Sequence, residues 1–295
     1  MNLTQPGPGR WGPFTVRSAI LGPAACLVLA AACGAPPARG PTVVATAPGW
    51  QTAAADSFEP VPVTLGLPFR PDVQFTPLYV ALDRGYFKAE GLDVTFSYGS
   101  ESDFVRLVAA NEMTAVIASG EQVLLARTQG LPVTYVATWY HRFPVAVFSL
   151  DPELHKPQDL VGHTVGLPDL SGASFLGWQA MLAAAGIDEA DVQAEVVGYT
   201  QLDAVEQGRV DAAVGYAVNE PLELAARGHD VAVMEVADFF DLVANGLVVS
   251  ESEARDSPGV VQGLVNGLLL GVEATLDDTE AAFDIAATVV PGLDD

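Results

Sequence analysis

Between Val61 and Phe96 the chain spells a strand, a loop, a helix and a second strand. That order builds a sheet whose loops emerge at the carboxyl ends of the strands, where open α/β sheets bind ligands. Val61 to Leu67 alternates β-branched and apolar residues, and a Pro/Arg/Asp loop follows. Pro77 then opens a helix that carries Leu78, Ala81, Leu82 and Tyr86 on one face. Gly85 and Gly91 bracket the end of that helix, and Leu92 to Phe96 begins the next strand. Gln74, Phe75 and Thr76 stand at the expected ligand edge.

Two later stretches read as versions of one another and predict two similar lobes. Val108 to Ser119 and Val205 to Tyr216 each end a helix at a turn, enter a short apolar strand and deliver small or polar residues at its carboxyl end. In the first lobe (61–143) strands are expected near 61–67, 92–98, 114–119 and 133–138, with helices near 77–89, 101–110 and 121–129. In the second (144–240) strands are expected near 163–167, 193–197, 211–216 and 230–236, with helices near 173–185, 200–207 and 219–227. Alternation of this kind favours mainly parallel sheets flanked by helices. Gly246 to Ser250 would return to the first lobe, pairing as a hinge with Val145 to Leu150. Helices near 258–275 and 278–289 would then cover that lobe, so 241–295 comprises the hinge return and C-terminal helices.

The N-terminal 32 residues have another character. Arg10 and Arg17 precede a mostly apolar stretch from Ala19 to Ala32, with no acidic residue before Asp56, which is the pattern of a secretory signal. About fourteen apolar residues fall short of a comfortable bilayer span. Ala30-Ala-Ala-Cys33-Gly34 resembles a bacterial lipoprotein cleavage site, which makes Cys33 the expected lipid anchor and 33–60, rich in Pro, Ala, Gly and Thr, a flexible tether. Leu29 lies one place earlier than the usual aliphatic residue of such a site. Cys26 lies inside the leader, so the folded body has no cysteine for a disulfide, a nucleophile or a metal site. The formal charge of −24 becomes −26 once Arg10 and Arg17 are removed. Such a surface argues against nucleic-acid binding and, more weakly, against a strongly anionic ligand.

Several short motifs follow in order: Pro77-Leu-Tyr-Val-Ala with Arg84-Gly-Tyr-Phe and Glu90-Gly-Leu-Asp-Val, then Leu131-Pro-Val, Asp159-Leu-Val-Gly-His-Thr-Val-Gly, Gly208-Arg-Val-Asp-Ala-Ala-Val-Gly and Asn245-Gly-Leu-Val. In this order the chain resembles the substrate-binding proteins of ABC importers, in the family of sulfonate-binding, thiamine-pyrimidine-precursor-binding and pyrimidine-synthase-like proteins. The resemblance implies a two-lobed, periplasmic-binding-protein-like (type II) α/β fold with two hinge crossings. It also implies a monomeric, extracytoplasmic receptor with a small-molecule ligand, permease and ATPase partners, and no cofactor or metal. Relatives continue with further helices beyond the equivalent of Pro291, so a truncated C-terminus with exposed apolar surface is expected.

The candidate binding residues sit at strand ends or crossings. Phe69 occupies the place where pyrimidine-binding relatives put a stacking aromatic; it and Phe75 equally suit a lobe core. Ser119, Gly120 and Glu121 open a helix whose amides can hold an oxygen, although Glu121 already answers the helix dipole and simple capping explains the same residues. Trp139 and Tyr140 form a candidate ring clamp before the first crossing, with His141 a solvated neighbour. Ser171, Gly172 and Ser174 precede a helix in a loop that the resemblance places at the cleft, and Tyr199 precedes the next. Tyr216, Asn219 and Glu220 follow the second repeat's strand; Glu220 suits a ring amine or imide, and a surface role suits it as well.

Pyrimidine-synthase relatives use a lysine and a histidine where this chain has Ala118 and Gln122, so no Schiff base is available and no catalytic residue is assigned. His141, His155, His163 and His229 lack metal-ligand spacing. The expected ligand is a vitamin-like aromatic heterocycle, with a thiamine pyrimidine precursor first and riboflavin second. An alkanesulfonate ranks lower because only Arg70 and Arg142 lie near the loops. A catalytic relative and a ligand-free scaffold are the readings from other classes.

Overall fold

The computed structural model describes residues 59–293; the leader, Cys33 and nearly all of the expected tether lie outside them. The first sheet and its helices comprise β1 (Val61–Pro68), α1 (Thr76–Asp83), α2 (Tyr86–Ala89), β2 (Leu92–Gly99), α3 (Glu101–Ala109), β3 (Ala115–Ser119), α4 (Gly120–Thr128) and β4 (Val133–Thr138). The second comprises β5 (Val145–Ser149), β6 (Thr164–Leu167), α5 (Gly172–Ala185), β7 (Gln193–Val196), α6 (Gln201–Glu206), β8 (Ala212–Tyr216), α7 (Glu220–Ala226) and β9 (Ala232–Glu235). The chain then returns through β10 (Asn245–Ser250) and finishes with α8 (Glu251–Asp256), α9 (Pro258–Asp277) and α10 (Thr279–Ala287).

Strand order is β2-β1-β3-β10-β4 in one sheet and β7-β6-β8-β5-β9 in the other. The two orders superimpose if β10 plays in the first sheet the part β5 plays in the second. Each is the strand that arrives from the opposite lobe, and each runs antiparallel to both neighbours, while the other pairings are parallel. The expected pairing of Gly246–Ser250 with Val145–Leu150 is therefore corrected. Both stretches are central strands, but they lie in different sheets, because each fills the gap its own sheet leaves between two parallel neighbours.

Alternate residues of these central strands feed two cores. On β10, Leu247 and Val249 face the cluster under α1 and α9 that also holds Leu65, Phe75 and Leu268, whereas Val248 faces Phe104, Val116 and Val123 under α3 and α4. On β5, Val145 and Val147 face Trp178 and Met181 of α5, and Phe148 faces Leu202 and Leu224 of α6 and α7. Helices on both faces explain why these strands read as unbroken apolar runs. Each such side chain contributes about 1.5–3 kcal/mol by leaving water.

The helix expected over 77–89 is two helices, since Gly85 turns left-handed (φ 71°) between α1 and α2. The twenty-residue α9 is long and apolar enough to cross a membrane by length and composition alone. It lies instead on the first lobe, with Gly263, Gly267 and Gly271 pressed against Leu92, Phe87 and the Pro77 carbonyl.

Candidate functional site

The loops after β1, β6 and β8 converge with the two lobe crossings on one cavity, with about 700 Å3 of free space including its mouth. From the first lobe come Phe69, Gln74 and Phe75; from the crossing after β4 come Trp139 and Tyr140. The second lobe supplies Ser171, Gly172 and Ser174 at the start of α5, Tyr199 before α6, and Tyr216, Asn219 and Glu220 at the end of β8. These twelve are the expected residues that line the cavity.

The rings meet across the lobes. Phe69 packs edge-to-face on Tyr199 with centroids 4.7 Å apart, and Tyr140 stands 6.3 Å from Trp139 and 6.4 Å from Tyr216. Trp139 leans on the first lobe's core and Tyr140 on the second's, so the pair straddles the hinge. Phe69 adopts φ 101°, a conformation that costs a non-glycine residue about 1–3 kcal/mol and is found where a site fixes a side chain. Phe75 is both core and rim, since it is 1% exposed and still edges the cavity.

The hinge is tied by backbone and side chain together. The amides of Trp139 and Tyr140 donate to the Asn245 carbonyl at 2.9 and 3.0 Å. Asn245 Nδ2 donates to the Tyr216 hydroxyl at 3.0 Å. Arg142 bonds Glu235 and Asp238, joining the first crossing to the approach of the second on the exposed side.

Thr76, Ser119, Gly120 and Glu121 do not line the cavity, which corrects their assignment. Thr76 Oγ1 donates to the Val73 carbonyl at 2.6 Å, within the turn that starts α1. Gly120 is pressed onto the second crossing, where a Cβ would stand 2.2 Å from Val243 Cγ1. The Ser119 hydroxyl and both Glu121 carboxylate oxygens are buried without a hydrogen-bond partner among the described residues. Burial, with Glu101 nearby, pushes Glu121 up to about 8. The Gly120 amide donates to the Val243 and Ala244 carbonyls at 3.2 and 3.3 Å, so it serves the hinge and not the cavity.

Among the cavity residues that the sequence reading did not assign to the site, Asn245, Gln201 and Glu101 are buried and polar. Asn245 and Gln201 are each 3% exposed. Glu101 carries the other surprise: Oε1 accepts from the Ser119 amide at 2.5 Å and Oε2 from the Ala173 amide at 2.7 Å in the opposite lobe. Burial pushes its carboxyl above the ordinary range, and the two amides pull it back. Its position just past the carboxyl end of β2 was the available signal, but a glutamate in a helix's first turn ordinarily marks nothing beyond the dipole.

Glu220 is 5% exposed and accepts from the Tyr216 amide at 3.1 Å. Burial pushes it up to about 7, with Asp72 adding to the rise and Arg70 opposing it. Asn219 Oδ1 has no hydrogen-bond partner among the described residues. The acidic residues Glu101, Asp169 and Glu220 line the cavity, and no lysine, arginine or histidine does. Among the described residues no group of His, Cys, Asp and Glu is arranged to hold a metal. The arrangement can stack a flat ring and accept hydrogen bonds from its edge; Arg70 stands over the Phe69 ring, 5.1 Å from its centroid, but is not among the lining residues.

Comparison with known proteins finds relatives named as solute-binding proteins. The family described as NMT1/THI5 like matches residues 72–282. A riboflavin-binding protein, RibY, of Chloroflexus aurantiacus is 41% identical over 271 residues, covering 90% of this chain and 76% of that protein. A formylaminopyrimidine-binding protein of Halalkalibacterium halodurans is 31% identical, covering 77% of this chain and 70% of that one. The periplasmic aliphatic sulphonate binding protein SsuA of Escherichia coli shares the fold with a TM-score of 0.65 at 14% identity, over 78% of this chain and 79% of that one.

Proposed function

Because the chain belongs to the NMT1/THI5-like family, we propose that it closes its two lobes on a flat, neutral heteroaromatic ring, a flavin first and an aminopyrimidine second, and passes it unchanged to a permease. At the coarser level it is a substrate-binding protein of ABC-type import and not an enzyme. The single observation that carries the ligand class is a cavity walled by Phe69, Trp139, Tyr140, Tyr199 and Tyr216 that contains acidic side chains and no cationic one. Aromatic faces give a large contact area at little rotamer cost, and carboxylate and amide oxygens at the rim answer a ring N–H.

The order of the two ligands is the reverse of the one drawn from sequence. The relative at 41% identity is named for riboflavin and the one at 31% for the pyrimidine. The aminopyrimidine keeps its place through Glu220 and the unpartnered Asn219 Oδ1, which suit an exocyclic amine. The lipid anchor at Cys33, the tether and the extracytoplasmic, membrane-attached location belong to the same proposal, supported by the leader's sequence pattern, and so does a monomeric state.

Riboflavin fluorescence tests the ligand class. On titration with the protein it is expected to be quenched at a one-to-one ratio, with displacement by an excess of a competing aminopyrimidine if both share the cleft and none by methanesulfonate. Unquenched riboflavin together with tight methanesulfonate binding would remove the reading.

A further inference from the structure

The start of α5 is the positive end of a helix at the cleft, and one of its first amides, that of Ala173, is already taken. A fourteen-residue helix presents its first amides there, at the positive end of its dipole. Glu101 reaches across from the other lobe and accepts from the Ala173 amide through Oε2, while Oε1 accepts from the Ser119 amide. The carboxyl has no lysine, arginine or histidine partner among the described residues, so neutral donors, chiefly the two amides, answer it. Gly172 is fitted to this reach. It turns left-handed at φ 74°, and a Cβ there would stand 2.8 Å from Glu101 Oε2. Beside it Ser102 Oγ and Ser171 Oγ lie 3.3 Å apart, a second contact between the lobes.

We infer that Glu101 is a specificity-determining residue: its carboxylate fills the α5 amide site that an anionic ligand group would otherwise occupy, so the closed cleft admits neutral rings and excludes sulfonate, sulfate and phosphate. The inference rests on the cleft's being the ligand site and adds to it the residue that sets the ligand's charge class. An oxyanion entering here finds the Ala173 amide already bonded to a buried carboxyl, with Asp169 and Glu220 lining the same cavity. Removing the side chain frees that amide and takes the acidic group away together. A carboxylate that merely capped α3 would leave the anion preference unmoved when deleted.

Calorimetric titration with inorganic sulfate and with methanesulfonate tests this on the wild type, Glu101→Ala and Glu101→Gln, each checked for a cooperative melt. The wild type is expected to take up neither anion at millimolar concentration. Glu101→Ala is expected to bind at least one of them about tenfold or more tightly than the wild type does, the scale of a helix-terminus interaction in a partly buried setting. Equal binding by wild type and variant, or a folded Glu101→Ala that ignores both anions, overturns the inference. Should Glu101→Ala not fold, Glu101→Gln takes its place: it is neutral and keeps one acceptor, so a smaller gain of about threefold or more is expected, and no gain overturns the inference. Uptake of sulfate by the wild type overturns the inference whatever the variants do. A parallel riboflavin titration of the same samples separates the two readings, since failure there removes the proposed ligand and leaves the anion result standing.

Discussion

Trp139 is the residue on which ligand stacking depends most, for it lines the cavity with its ring against the first lobe's core and its amide fixed to Asn245. Trp139→Ala is expected to weaken riboflavin binding by about 1–2 kcal/mol, read by fluorescence titration of a variant with an unchanged melting temperature. Unchanged affinity takes the ring out of the site. Glu121 makes the opposite case, a carboxylate that costs stability. Its ordinary value of 4.5 is raised to about 8 in the fold, so the folded chain holds that proton more tightly than the unfolded one. The favourable contribution is complete below about 4.5 and is lost as pH rises towards 8. Glu121→Gln is therefore expected to be the more stable protein at pH 8.5, by on the order of 1–3 kcal/mol, and to match the wild type near pH 4.5. Denaturant melts across that range check this; a variant that gains nothing at high pH contradicts it. The rings of the site were legible in the sequence because their residue types announce contact area. Glu101 was not, since nothing local distinguishes a first-turn acid that reaches another lobe from one that faces water.

At the scale of elements, the periodic helices and the β-rich runs were legible, and the strand order was not. A run such as Asn245-Gly-Leu-Val-Val-Ser250 is apolar throughout because helices cover both faces of its sheet, and such a run carries no mark of direction or neighbours. The α1 and α2 break was written in Gly85, whose left-handed turn a helix interior does not accommodate. The register of α9 is set by its glycines. A Cβ at Gly271 would fall 2.1 Å from the Pro77 carbonyl oxygen, whereas one at Gly259 in the same helix meets nothing within 4 Å. Gly271→Ala is expected to cost about 1–3 kcal/mol and lower the melting temperature by several degrees. Gly259→Ala should be neutral or stabilising by up to about 1 kcal/mol. Equal melts for the two variants would show that α9 does not lie on α1 as described.

For the whole molecule, the exchange of β5 and β10 makes each lobe incomplete without a strand delivered through the hinge. The two crossings are bonded to each other at Asn245, and the cavity lies between the lobes beside them. A ligand gripped there touches both lobes at once, so its binding energy shifts the balance towards the closed form. The chain's formal charge of −24 disfavours polyanions as partners, and a cavity lined by acidic and no cationic side chains repeats that preference at the site. The central claim is capture without chemistry, and equilibrium dialysis against riboflavin, followed by mass spectrometry of what the protein releases, tests it most directly. The account predicts one riboflavin held per chain and recovered at its original mass. No uptake, or recovery of a compound of different mass, would contradict it.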